Sequence, residues 1–430
     1  MQEENVHIKA VLDTAEIRKK AWELAKKGRS EEGVAILEKA AKEHPENQFL
    51  FTFGLFYLFS EKAHLEHYRQ HMEDWARIGA EQGRSEAALM LGRLYMQKEG
   101  KTKESMVWLE KAAASPDKET AGEAACRLGE IYLHGGDDAA ADGDKAETFL
   151  RKAADLGNTQ SMYLLSQLYK EGVGLKPDQA KHHEWLQKAA HAGNGDACYE
   201  IAASCMMDPH LHTKKEKIQA IKKALPFFEK GVKADHGGCC LMLGLIYLYG
   251  QGVRQDGKKG VQLLEEAASS GSSEAMMCLF SVYRGHIPGI KVKKNAAKAV
   301  SWLKEAADAG NMYAKEELGL TCMLGNGVSK DPERGMQYLE EALRDGSSWA
   351  GFMMAIAYLG RDGIPQNLLK AEEYLRRTIF MNGPAADDAK EMLDQLKNKK
   401  WEDLPTLSDM SPIKTAGENQ DPMDVFSIGW

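Results

Sequence analysis

Nine copies of one short pattern constrain the fold of this chain more than any other feature of its sequence. In each copy a small residue is followed by Leu-Gly or a close substitute and, three residues after the glycine position, by tyrosine. Clear copies end at Tyr95, Tyr132 and Tyr247. This reference position falls at residues 57, 95, 132, 169, 205, 247, 283, 322 and 358, at intervals of 36 to 42 residues. Such a period is typical of stacked supersecondary units rather than of a single closed core.

Each repeat contains two stretches with the apolar spacing of an α-helix. Ala314, Leu318 and Cys322 recur every four residues, and 298–314 shows the i, i+3, i+4, i+7 spacing of a second helix. Glycine pairs such as Gly250 and Gly252 separate the two stretches, since glycine readily adopts the left-handed conformation that ends a helix. The pattern therefore predicts an all-α fold of antiparallel helix pairs, which bury their apolar faces by stacking.

With these motifs the chain resembles the Sel-one-like repeats, relatives of tetratricopeptide repeats. The shared motifs are A-x-x-x-L-G-x-x-Y, G-x-G-V and K-A-x-x-W-L-x-K-A-A-x-x-G, and the best copies are 179–193 and 298–310. The resemblance implies a right-handed α-solenoid of about nine helix-pair repeats, and a role in protein–protein interaction. The chain departs from the pattern where glycine or tyrosine is expected, at Ser166, Ala202, Cys205, Phe280, Cys322 and Ala355.

The sequence divides into four predicted regions. Residues 1–47 resemble a tetratricopeptide helix pair, 48–383 form the repeat solenoid, 384–400 form a capping helix, and 401–430 form a disordered acidic tail. The tail carries six acids against one base, Lys414, and ends in an acidic and apolar peptide that contains Phe426 and Trp430. This peptide is either a featureless end or a docking peptide, for a partner protein or for the groove of this chain.

Composition favours a cytoplasmic location. No apolar run approaches the ~20 residues needed to cross a bilayer, and the first twenty residues lack the pattern of a secretory signal. The seven cysteines form no C-x-x-C pair and stand where other repeats place small or apolar residues. We therefore expect reduced thiols within the core.

Candidate chemical sites are weak. The glycine-rich stretch 250–257 follows a helix instead of a strand, which disfavours a phosphate-binding loop. His64, His67 and His71 share a helical face but span more than one ion bridges unaided. Cys205 with His210 and His212 lacks a fourth ligand. We expect no catalytic residues, no metal and no cofactor, and no nucleic-acid, membrane or small-molecule partner.

The first helices of repeats five to nine carry a candidate partner-binding groove. By analogy with tetratricopeptide units, the positions six and two before the reference position face a concave groove. In these repeats they are mostly apolar or aromatic, and the predicted contact residues are Tyr199, Leu241, Leu245, Met277, Leu320, Phe352 and Ile356. An exposed apolar run would bind a peptide or helix of another protein. Alternatively, these side chains pack between neighbouring helices.

Two connections are rich in lysine, namely the insertion 207–224 in repeat five and the stretch 285–298 in repeat seven. We expect both to lie on one edge of the solenoid. They are either solvated loops or a basic surface that attracts an acidic segment such as the tail. The most consistent function is a non-catalytic scaffold or adaptor. An exported bacterial effector or host-interaction protein is the alternative, and an enzyme framed on a solenoid is less consistent with the sequence.

Overall fold

The structure is a computed structural model. It describes residues 16–24 except 18 and 22, and residues 30–43, 65–207, 211–285, 287, 292–360, 363–398 and 406–407. Within these ranges the chain forms α-helices joined by short loops, without a β-strand, so the all-α fold class is confirmed. The chain divides into two compact units, Met1–Asn194 and Gly195–Trp430.

The N-terminal unit consists of consecutive helices. They are α1 (Ser30–Glu43), α2 (Leu65–Glu81), α3 (Ser85–Met96), α4 (Thr102–Ala113), α5 (Lys118–His134), α6 (Gly143–Asp155), α7 (Thr159–Glu171) and α8 (Gln179–His191). Helices α3 and α4, α5 and α6, and α7 and α8 pack on each other most extensively. These are the helix pairs that the repeat predicts.

The C-terminal unit consists of helices with the same pairwise arrangement. Its helices are α9 (Gly195–Met206), α10 (Lys214–Lys233), α11 (Gly237–Tyr249), α12 (Gly257–Ser269), α13 (Ser273–Arg284), α14 (Ala296–Asp308), α15 (Met312–Leu324), α16 (Pro332–Arg344), α17 (Ser348–Ala357), α18 (Leu368–Met381) and α19 (Ala386–Lys397). Helix α19 follows the last pair and packs its apolar side on α18. The predicted boundaries at 47, 383 and 400 stay predictions.

An Asp or Asn side chain starts the second helix in six of the helix pairs that the structure describes. The capping residues are Asp142, Asp178, Asp256, Asn295, Asp331 and Asn367, and each accepts a hydrogen bond from the backbone N–H three residues later at 3.0–3.1 Å. An N-cap of this kind contributes about 1 kcal/mol. The helix starts are therefore encoded locally.

The same six capping residues also close the loop between the two helices of their repeats. The backbone N–H of each one donates to the carbonyl of the reference residue, from Asp142 to Tyr132 at 2.7 Å and from Asp256 to Tyr247 at 2.9 Å, with the other four at 2.8 Å. We call this bond the loop-closing hydrogen bond. It fixes the start of the second helix against the last turn of the first.

The glycine before the reference position allows the two helices of a pair to approach closely. A Cβ atom placed on Gly129 would lie 2.5 Å from side-chain carbons of Leu150, and one on Gly92 would lie 2.6 Å from Leu109. Real side chains do not approach so closely, so a leucine of the second helix fills the space that the glycine leaves.

The reference tyrosines are covered by lysines from the next helix. A lysine nitrogen lies 3.9–5.3 Å from the ring centre in five repeats, in the pairs Tyr132–Lys145, Tyr169–Lys181, Tyr247–Lys259, Tyr283–Lys298 and Tyr358–Lys370. Each lysine lies in the first turn of its helix, where the helix dipole disfavours a positive charge. The ring face supplies a compensating cation–π attraction.

Repeat five differs from the sequence-based prediction. The lysine-rich insertion 207–224 was expected to be a connection, but α10 begins at Lys214, so this expectation is wrong from that residue onward. The reason is a capping box: the Thr213 hydroxyl accepts from the Glu216 N–H at 3.2 Å, and the Glu216 carboxylate accepts from the Thr213 N–H at 2.8 Å. The helix then continues through Pro226.

The cysteines lie on first helices, as expected. All seven are free, and Cys126, Cys198, Cys239, Cys240 and Cys322 are buried, which confirms that they serve as small core residues. Among the helices of the described ranges, none combines the length and the apolar character that a bilayer-spanning helix requires.

Candidate partner-binding surface on the first helices

The predicted groove residues divide into two groups by exposure. Leu245, Leu320, Phe352 and Ile356 are buried, with 6, 5, 5 and 1 % of their surface exposed. Tyr199, Leu241 and Met277 are half-buried and reach the surface. Burial of the first group favours packing between neighbouring helices, whereas the partner-binding role of the set stays a prediction.

The three half-buried residues occupy one repeat position. Tyr199, Leu241 and Met277 each lie six residues before the reference position, on α9, α11 and α13. Leu241 and Met277 pack against the core cluster formed by these repeats. Successive first helices therefore carry one partly exposed apolar side chain each.

Aromatic residues extend this row in the next two repeats. The corresponding positions on α15 and α17 are the buried residues Glu316 and Phe352, but Tyr313 and Trp349 lie three residues earlier on the same helix faces. Tyr313 is 54 % exposed, and Trp349 is half-buried and contacts the ring of Phe352 edge-on at 5.7 Å.

We call the five surface residues Tyr199, Leu241, Met277, Tyr313 and Trp349 the inner strip. Sequence reasoning missed its last two members because it considered only the positions six and two before the reference residue. The signal that could have found them is the aromatic pair itself, which stands at the same repeat position in consecutive repeats. Aromatic side chains and methionine are enriched among residues that anchor protein partners.

Tyr199 is held in place by one ring of its own repeat and one of the next repeat. Its ring centre lies 5.3 Å from that of His236 and 6.4 Å from that of Phe228. His236 is fixed in turn, because its Nδ1 accepts from the Cys239 N–H at 3.1 Å and its Nε2 lies 3.4 Å from a carboxylate oxygen of Asp196. Burial raises the pKa of Tyr199 to about 12, so its hydroxyl stays protonated at neutral pH.

Two buried carboxylates lie beside the inner strip on α15. Glu316 and Glu317 are 1 % and 4 % exposed, and Oε2 of each has no hydrogen-bond partner among the described residues. Burial raises the pKa of both groups, although a hydrogen bond with Ser347 opposes the shift at Glu316 and the ion pair with Arg284 opposes it at Glu317. Ionising Glu316 is therefore costly in the folded protein.

The first helices of the N-terminal unit differ from those of the C-terminal unit at one of the two strip positions. At the position that carries Tyr313 and Trp349, they carry Glu86, Glu123 and Gln160. At the position of Tyr199, Leu241 and Met277, they also carry half-buried apolar or aromatic side chains, Leu89 and Tyr163. The aromatic pair is therefore what distinguishes the C-terminal unit.

The chemistry of the described residues gives no support to a reactive centre. No group of three or more potential metal-ligating side chains occurs in the part of the chain that the structure describes. Burial raises the pKa of Cys126 and Cys278 to about 12, so these thiols are protonated at neutral pH and are poor nucleophiles.

Some sequence predictions lie outside the described residues. The tail residues Phe426 and Trp430 are among these, as are His64 and His210, and the side chains of His67 and His71 are not described either. The docking role of the tail peptide therefore stays a prediction.

Comparison with known families matches the sequence to the Sel1 repeat. The matching residues are 85–117, 122–158, 159–194, 238–272, 275–311, 313–347 and 350–379, which together exceed half of the chain. The matches leave out 195–237, which contains the pair α9 and α10. In this repeat Ala202 and Cys205 replace the usual glycine and tyrosine, and a lysine-rich insertion follows.

Individual relatives share about a quarter of their residues with this chain. Chitin synthase regulatory factor 4 of Schizosaccharomyces pombe is 26% identical over 235 residues, which are 50% of this chain and 36% of that protein. The chain therefore spans only about a third of the length of that relative. The Sel1-repeat-containing protein YjcO of Escherichia coli K12 is 26% identical over 204 residues, which are 45% of this chain and 82% of that protein.

A solved structure shows the same fold. The chain resembles a protective antigen of uropathogenic Escherichia coli strains that displays an SLR fold, with 24% identity and a TM-score of 0.55, over 85% of this chain and 75% of that one. The α-solenoid class expected from the repeat pattern is thereby confirmed.

Proposed function

We propose, since this chain belongs to the Sel1 repeat family, that it is a non-catalytic scaffold whose inner strip holds an apolar segment of a partner protein. Sel1 repeat proteins are protein-interaction scaffolds. The inner strip is the observation that carries the proposal, because five consecutive repeats each contribute a surface-reaching apolar or aromatic side chain at one helix face.

The strip defines the kind of segment that fits it. Neighbouring helices pack about 8–10 Å apart, so a row of side chains on successive first helices suits a partner with apolar residues at regular intervals, as on one face of an amphipathic helix or in an extended peptide. Tyr313 is the most exposed member and the best candidate anchor, since tyrosine combines a large apolar surface with a polar hydroxyl.

The relatives support the class of function without naming a partner. The Schizosaccharomyces pombe protein is called a chitin synthase regulatory factor, and a second relative, of Saccharomyces cerevisiae, is called chitin synthase regulator SKT5, 29% identical over 210 residues. Regulation of another enzyme suits a binding scaffold. A cytoplasmic location stays a prediction, which cell fractionation would test.

Site-specific photo-crosslinking tests the proposal. A photoreactive amino acid is placed at 313 or 277 in the full chain and, as a matched control, at 380, because Phe380 is an aromatic residue on the second helix α18 with 90 % of its surface exposed. We expect positions 313 and 277 to capture the same protein and position 380 not to capture it.

Binding to the captured and purified protein is then measured with single substitutions. We expect Tyr313→Ala to weaken binding at least fivefold, which corresponds to the loss of more than about 1 kcal/mol typical of an anchor residue. The control Phe380→Ala is expected to leave the affinity unchanged. Equal capture at 313 and 380, or equal affinities of the two variants, would contradict the proposal.

A further inference from the structure

Helix α10 carries an unbalanced positive charge. Lys214, Lys215, Lys222 and Lys223 on its first half are exposed, and none of them forms an ion pair with a described residue. The only acid of this half, Glu216, already serves in the capping box. Because the dipole of a helix disfavours cations at its N-terminus, these lysines gain little from their own helix.

The structure brings a second basic stretch against α10. The loop before α12 packs on this helix, since a Cβ atom on Gly252 would lie 3.3 Å from the Cγ2 of Ile221. Val253 and Leu263 belong to the same core cluster as Ile221. The exposed residues Arg254 and Lys258 therefore lie beside the lysines of α10, although more than thirty residues separate them in sequence.

A third basic stretch lies one repeat further along. Lys298 holds the same place on α14 that Lys259 holds on α12, because each covers the reference tyrosine of its own repeat. Lys293 and Lys294 precede it and are exposed. We call the three stretches 214–223, 254–259 and 293–298 the basic edge; together they hold eleven lysines and arginines against two acids, Glu216 and Asp256.

An acidic segment of the same chain follows a buried attachment point. Leu407 has no exposed surface and belongs to the core cluster formed by residues of α15 to α19. Residues 408–430 follow this residue in the sequence. They contain four acids against one base, Lys414.

The segment is also long enough. The seventeen residues from 407 to 424 can extend to at most about 55–60 Å, whereas neighbouring helices are about 8–10 Å apart. Glu418, Asp421 and Asp424 lie eleven to seventeen residues beyond Leu407, so an extended chain can carry them about 36–60 Å from it, the width of several packed helices.

We infer that the acidic segment 409–424 docks on the basic edge of its own chain. Attachment at Leu407 makes the encounter intramolecular, and a tether of this length supplies an effective concentration of about 1 mM. If the contact has a dissociation constant of about 100 µM, as for a weak charge-driven contact, the docked state is populated about ten to one. An outside anion must then compete with this segment for the edge.

Zero-length cross-linking of carboxylates to amines tests the contact in the full-length chain at low ionic strength. We expect links from Glu418, Asp421 or Asp424 to lysines of the basic edge, identified by mass spectrometry of the monomer. Mixing ¹⁵N-labelled and unlabelled protein shows whether a link joins two chains. Links that join two chains, links to lysines elsewhere, or no tail links at all would each overturn the inference.

Cleavage by a glutamate-specific protease after Glu418 supplies the quantitative test. We expect the quadruple variant Lys215→Ala, Lys222→Ala, Arg254→Ala and Lys258→Ala to release the peptide 419–430 about tenfold faster than the wild type, because the docked state protects it.

The matched control variant removes exposed lysines of the N-terminal unit, namely Lys103, Lys118 and Lys176, and should cleave at the wild-type rate. Raising the salt concentration to about 1 M should bring the wild type to the rate of the quadruple variant, since exposed charges are then screened. Equal rates for the wild type and the quadruple variant at low salt would refute docking at this edge. Circular dichroism of each variant checks that the repeats remain folded.

Discussion

Replacing Gly129 by alanine tests whether helix pairs in this chain depend on a missing side chain. A Cβ at this position of α5 would lie 2.5 Å from two side-chain carbons of Leu150, a fully buried residue of α6. Carbon atoms in contact prefer about 3.5–4.0 Å, so the new methyl group would be about 1 Å too close. Because Leu150 is fully buried, the helices must separate or its side chain must shift to accept the methyl group.

The net effect follows from two opposing contributions. Overpacking of a core costs about 1–3 kcal/mol, while alanine is favoured over glycine in a helix by about 0.8–1.0 kcal/mol. We therefore expect Gly129→Ala to lower the free energy of unfolding by up to about 2 kcal/mol.

The same helix contains a matched control. Gly122 is also within α5, but a Cβ there would make only ordinary contacts, the nearest at 3.4 Å to Leu156. Gly122→Ala should keep the propensity gain and raise stability by about 0.5–1 kcal/mol. The two substitutions are chemically identical and are expected to have opposite signs.

Urea unfolding followed by circular dichroism at 222 nm measures both variants, with the slope of the transition compared to check that the unfolding unit is unchanged. A third comparison places Gly129→Ala in a Leu150→Ala background, where the obstructing side chain is absent and the alanine should become neutral or stabilising. If Gly129→Ala were as stabilising as Gly122→Ala, the argument that glycine allows close helix approach would be refuted.

Three further predictions concern single side chains. Because the pKa of Glu316 is raised in the folded state, stability is lost as the pH rises from the pKa of the unfolded state through the pKa of the folded state. Glu316→Gln should therefore stabilise the protein by about 1 kcal/mol at pH 7 but not at pH 4. Urea unfolding at these two pH values measures the difference. Asp178→Ala should lower the free energy of unfolding by about 1 kcal/mol and Asp178→Asn by much less, since only alanine lacks an acceptor for the helix N-terminus. The Tyr169 hydroxyl donates to Glu147 at 2.6 Å, so Tyr169→Phe should cost about 1–2 kcal/mol in thermal unfolding. This cost should exceed that of Tyr132→Phe, because the ring of Tyr132 stacks on Phe149 at 5.6 Å and phenylalanine keeps this contact.

The sequence predicts the helices well because their signals are local. The glycine before the reference position recurs in five of the nine repeats, and an Asp or Asn starts six of the second helices in the described ranges. The prediction failed where one such local signal was overlooked. The capping box of Thr213 and Glu216 begins α10 inside a stretch that was predicted to be a connection. Lysine-rich composition alone does not distinguish a loop from an exposed helix face.

The candidate surface was less predictable because exposure depends on packing between repeats. Leu245 and Ile356 share a repeat position with polar residues such as Arg93, yet both are buried, since neighbouring helices cover that position. Tyr313 was missed because it is exposed at a position that was not considered. It lies one helical turn before the predicted groove position, which Glu316 occupies in this repeat. Burial at such positions is set by residues about 36 to 42 places away in sequence, which a local pattern does not report.

The loop-closing hydrogen bond has a consequence for how this scaffold tolerates change. Asp178, Asp256, Asp331 and Asn367 follow their reference residue by nine positions, whereas Asn295 follows Tyr283 by twelve and still bonds to its carbonyl at 2.8 Å. One bond thus closes loops of different length in the same way, and doubling the length of a loop costs only about 0.6 kcal/mol in closure entropy. The stretch between Tyr283 and Asn295 is therefore a natural acceptor for a grafted peptide, because its length can change while the helices on either side keep their places.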